Sequence, residues 1–100
     1  MPDVVAIERE WSSPSGFFFR LRQGQFDPQL FERALRSLQG LALASEEHSI
    51  DRRLVSLLWY IPGFMEWQEA RVAERGGDVD AHRKATAAMR GQVERILGVP

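Results

Sequence analysis

The chain has 100 residues, 44% hydrophobic and 27% charged, with a net charge of −1 and no cysteine. That length makes one domain, residues 1–100, whose single core needs no metal or cross-link, and the missing thiols exclude disulfides, thiolate zinc sites, iron–sulfur clusters and cysteine nucleophiles. MPDVVAIERE has no basic stretch followed by an apolar run, and no window reaches the roughly 20 apolar residues of a membrane span, so the reading is a cytoplasmic protein with no membrane partner.

Charge is unevenly spread. Phe17 to Arg36 carries +2, Glu66 to Asp80 carries −3 and Arg83 to Arg95 carries +3. Opposed patches of this kind point to protein contacts rather than nucleic acid. Only Lys84 among the thirteen basic residues is a lysine, a bias that codon usage explains as readily as selection for bidentate arginine contacts.

In chain order, Val4, Ile7 and Trp11 have the spacing of a helical face, although Val4 to Ile7 also suits a strand. Ser13-Pro14 and Gly24 bracket SPSGFFFRLRQG as a helix with Phe17, Phe18 and Leu21 clustered and Phe19 on the far side. The competing reading pairs Phe17 to Arg22 with Val4 to Ile7 as a small β-hairpin, across a loop longer than the usual 2 to 5 residues. Asp27-Pro28 starts a helix over 28–39, with Leu30, Phe31, Ala34, Leu35 and Leu38 on one face and Gly40 as a left-handed stop. Gly40 to His48 reads as a connection. Ser49 caps a long central helix that runs to Arg75 and ends at Gly76-Gly77. Asp78 caps a last helix, with Asp80 suiting its positive end, that runs to Leu97 before Gly98. The fold class predicted is all-α, a compact bundle of four or five helices around a long central helix kinked at Pro62. The alternative is α+β with the small N-terminal hairpin.

The central helix contains the most informative segment, Leu54 to Met65 (LVSLLWYIPGFM), twelve residues without a charge. Pro62 removes a backbone donor and clashes with the Leu58 carbonyl, so a kink, or a full break, is expected between Tyr60 and Gly63. At 100° per residue Ile50, Leu54, Leu57, Leu58, Ile61, Met65 and Val72 share one arc, the main core. On another face Ser56, Gly63 and Ala70 recur every seven residues, bordered by Trp59, Tyr60 and Trp67. That second face either packs on the N-terminal segment through Trp11 and the phenylalanines, or is a seam for a partner, since Trp and Tyr act as interface anchors.

Chemical sites are scarce. His82 lies on the apolar arc of the last helix between Met89 and Val93 and reads as a structural histidine bonded to Asp78 or Thr86, without a Glu-x-x-His or His-Glu-x-x-His pattern beside it. His48, in a polar loop with Glu46, Glu47 and Ser49, makes no triad. Glu66 and Glu69 lie three apart on a helix, with no basic or histidine partner evident, and read as a solvated charged face. Arg52 and Arg53 oppose the dipole in the first turn of the central helix, offset by Asp51, Glu46 and Glu47. Arg20, Arg22, Arg83, Lys84, Arg90 and Arg95 raise nucleic-acid binding, which the net charge argues against. No Gly-rich phosphate loop occurs. The expectation is therefore a non-enzymatic protein-binding module without metal or cofactor, of adaptor, inhibitor or immunity type, forming a homodimer through Ser56, Trp59, Tyr60, Gly63, Trp67 and Ala70. The alternative is a small-molecule binder or minor enzyme with a pocket at the Pro62 kink, lined by Leu58 O, Tyr60, Trp59 and Trp67.

Overall fold

The computed structural model describes residues 2–41 and 50–99, with His48 and Ser49 outside them. Among the described residues six helical segments follow one another: α1 (Pro2–Ser12), α2 (Phe17–Leu21), α3 (Pro28–Gln39), α4 (Arg52–Trp59), α5 (Ile61–Glu74) and α6 (Val79–Leu97). Taken as one broken central helix, α4 and α5 make this an all-α bundle of five. No strand occurs among the described residues, and both halves of the alternative hairpin are helical. No helix among them is long and apolar enough to cross a membrane.

Capping explains most boundaries. The Asp27 carboxylate accepts from the amides of Gln29 and Leu30, and Pro28 occupies the first helical position, so α3 starts where its sequence says. Its end differs from expectation. Gly40 stays right-handed at φ −75°, and the end is closed from elsewhere: Arg95 of α6 donates to Leu38 O, in the last turn, at 3.0 Å and to Leu41 O, just beyond the helix, at 3.3 Å. Asp51, rather than Ser49, caps the central helix, accepting from Arg53 and Leu54.

The expected helix from Ser13 to Gly24 shrinks to five residues. Ser13 to Ser15 form a turn in which Gly16 N–H donates to Ser13 O at 2.8 Å, and Gly16 is extended, so the helical run cannot begin before Phe17. The acceptor for Phe17 N–H comes from α1, where Glu10 Oε1 lies 3.0 Å away. A Cβ on Gly16 would sit 2.5 Å from the carbonyl oxygens of Arg9 and Glu10, so only glycine lets α1 and the turn approach this closely.

Pro62 splits the central helix at Tyr60. Of the predicted arc, Leu54, Leu57, Leu58, Ile61, Met65 and Val72 are buried and Ile50 is half-buried. They meet Ile7, Phe17, Phe18, Leu21, Ala34, Leu38, Met89, Val93 and Ile96 in one core. α5 and α6 form an antiparallel hairpin across Gly76-Gly77, where Gly76 has φ +74° and Gly77 N–H donates to Val72 O at 2.9 Å.

Candidate functional site: an exposed aromatic face at the helix break

The break at Tyr60 leaves the last carbonyls of α4 without intrahelical donors. The indole Nε1 of Trp11 donates to one of them, Leu57 O, at 3.1 Å. Trp11 also stacks on Phe18 with ring centroids 4.3 Å apart and meets Phe64 edge-on at 4.8 Å. The guanidinium of Arg22 lies over Trp11 and Phe64, 5.5 and 5.6 Å from their centroids. The N-terminal segment thus covers part of the second face, as far as Tyr60, whose ring centroid lies 6.1 Å from that of Trp11.

The rest is uncovered. Trp59 is 61% exposed and Trp67 65% exposed, on opposite sides of a half-buried Tyr60. Each meets the Tyr60 ring edge-on at a centroid distance of 5.5 Å, so all three rings stay on one face in spite of the break. A Cβ on Gly63 would lie 3.9 Å from the Trp67 ring, and Ser56 and Ala70 are exposed at either end. The structure thus brings Trp59, Tyr60, Gly63 and Trp67 together, with Ser56 beside Trp59 and Tyr60, while Ala70 is exposed one turn beyond Trp67.

Beside the break, Trp11, Arg22, Arg53, Leu57, Trp59 and Tyr60 line an open groove of about 270 Å³. Leu58 is fully buried on the core side, and neither it nor Trp67 lines this groove, so the pocket composition expected from sequence is corrected on both residues.

His82 is fully buried, but its partner is neither Asp78 nor Thr86. Its Nε2 lies 2.7 Å from Met65 O, and a carbonyl only accepts, which puts the proton on Nε2. Asp78 instead caps Ala81, and the Thr86 hydroxyl donates to the His82 carbonyl. Nδ1 has no partner among the described residues, and Phe26 packs edge-on against the ring.

Glu66 and Glu69 do have basic partners, which come from a different helix. Arg83 binds Glu69 bidentately at 2.8 and 3.1 Å, and Arg90 pairs with Glu66, lacing α5 to α6 on the surface. Hydrogen bonding to Arg83 holds the Glu69 carboxyl below the usual carboxylate range. Arg53 pairs with Glu8 of α1 at 3.4 Å. Among the described residues no three of His, Asp and Glu gather as a metal-binding group.

The one buried acid among the described residues, Glu10, escaped the sequence reading. Glu10 takes a bidentate contact from Arg33 at 2.7 and 2.9 Å in addition to Phe17 N–H, and Arg33 also donates to Ser15 O. The signal was a carboxylate one turn after Ile7, on the same stripe as Trp11. Comparison with family models, curated proteins and solved structures returns no match, so the geometry alone supports a functional reading.

Proposed function

We propose that this protein is a small cytoplasmic protein-binding module, without enzymatic activity, whose working surface is the aromatic face around Tyr60 and whose partners include a second copy of itself. The observation that supports this is the pair Trp59 and Trp67, each more than half exposed although the chain fills a complete core elsewhere. Large aromatics with one apolar side and one polar atom are what interface centres use. The lack of cysteine fits a reducing compartment.

The test is light scattering at micromolar concentration with Trp67→Ala and Ala70→Glu. Ala70 is exposed, so a glutamate there leaves the fold intact and probes only the surface. A dimer that either substitution disperses, with unchanged far-UV circular dichroism, supports the reading. A monomer across the whole range overturns self-association.

A second reading, a small ligand in the groove beside the break, rests on Arg22 and Arg53 facing Trp59 and Tyr60 there. A compound that raises the melting temperature of the Ala70→Glu variant, and fails to do so after Arg53→Ala, would favour it.

A further inference from the structure

The exposed face is close to palindromic about Gly63. Trp59 and Trp67 each lie four residues from it, Ser56 and Ala70 seven, and Arg52 and Glu74 eleven. Arg52, Ser56, Trp59, Trp67, Ala70 and Glu74 are all exposed, and neither Arg52 nor Glu74 has an ion-pair partner among the described residues. Across the break both indoles stay on the face of Tyr60, each edge-on to its ring at 5.5 Å.

An isologous interface sets one patch against itself, so residues related by the axis must suit each other. Resting on the reading of this face as a binding surface, we infer that a second copy docks antiparallel across it, with the two-fold axis at Gly63. Gly63 then faces its own counterpart, and small Ser56 and Ala70 oppose each other, which lets the backbones approach. The Trp59 ring of one copy lies against the Trp67 ring of the other. At both ends Arg52 meets Glu74. Parallel docking through the same face would oppose Arg52 to Arg52 and Glu74 to Glu74, a like-charge arrangement that disfavours it. Charge thus selects the antiparallel register, while size complementarity allows it.

Because the chain has no cysteine, single cysteines report the register directly, since a disulfide needs Cα atoms within about 7 Å. Mild oxidation of Ser56→Cys mixed with Ala70→Cys should give a mixed cross-linked dimer, while neither variant links to itself. Gly63→Cys should link to itself; its added Cβ meets nothing closer than the Trp67 ring. Arg52→Glu and Glu74→Arg should each weaken the dimer about tenfold, and the double variant should return within about twofold of the parent, the behaviour of a paired rim charge. Self-linking of Ser56→Cys, or a double variant as weak as the singles, overturns the antiparallel register while leaving a face-mediated dimer standing. A parent chain that scatters as a monomer overturns the register and the self-association reading together.

Discussion

The indole nitrogen of Trp11 is bonded to the carbonyl oxygen of Leu57, 46 residues further along the chain, at 3.1 Å. The break that Pro62 imposes creates that free carbonyl, and the N-terminal helix supplies the donor, so the two features depend on each other. Trp11→Phe keeps an aromatic ring against Phe18 but removes the donor together with part of the indole's contact surface. It should cost at least about 1 kcal/mol, the net worth of one hydrogen bond, and lower Tm by about 4–8 °C or more for a domain of this size. An unchanged Tm in a thermal melt would show that water replaces the indole without loss.

Glu10 is 4% exposed and depends on Arg33 and Phe17 N–H to offset its desolvation. Arg33→Ala leaves the carboxylate buried without its cation and should cost about 3 kcal/mol, the lower end for a broken buried pair because Arg33 itself is half exposed. Chemical denaturation of Glu10→Ala, Arg33→Ala and the double variant would check this. Additive losses would show that the pair is not coupled.

Gly16→Ala should destabilise by about 1–3 kcal/mol, since its methyl would press on two backbone carbonyls that have no rotamer to adjust. Gly91→Ala, where a Cβ meets nothing within 4 Å, is the control. It should stabilise by several tenths of a kcal/mol or more through helix propensity, and thermal melts of the two should move in opposite directions.

The Glu69–Arg83 pair gives a pH dependence of defined sign. Binding Arg83 lowers the Glu69 pKa in the folded state, so its contribution is complete above the unfolded value of about 4.3 and is lost as pH falls through the lower folded value. The parent should therefore melt above Glu69→Gln at neutral pH, and the two should converge as the pH falls through the lowered folded value. Both side chains are solvated, so the gap should be small and shrink in salt. A gap that does not narrow as the pH is lowered through the acid range would sink this account.

What was legible in the sequence was local. Asp27-Pro28, Asp78 and Gly76-Gly77 fixed the ends of α3, α5 and α6, because a cap acts within one turn of where it is written. Pro62 announced the break for the same reason. The six residues of the aromatic face were legible as a helical stripe, and their exposure was not, since that depends on how far α1 and α2 reach across α4. The closure of α3 was not legible, because Arg95 reaches its end from 55 residues away. The carboxylates of Glu66 and Glu69 looked unpartnered for a similar reason: their arginines lie across a hairpin, and no spacing rule within one helix reveals them.

The Gly76-Gly77 hairpin has a consequence for how the chain acquires its structure. Residues that are neighbours in sequence close the α5–α6 contact through a short loop, at little cost in loop entropy, whereas Trp11 must find Leu57 across 46 residues. The expected order of assembly has the C-terminal hairpin as nucleus and α1 docking last. His82→Ala, which removes the bond to Met65 across the hairpin, should slow refolding, and Trp11→Phe should chiefly speed unfolding, a difference that stopped-flow fluorescence reads from the two arms of the chevron. The helix that covers the break would then be the first to let go, exposing the rest of the aromatic face while the hairpin still holds.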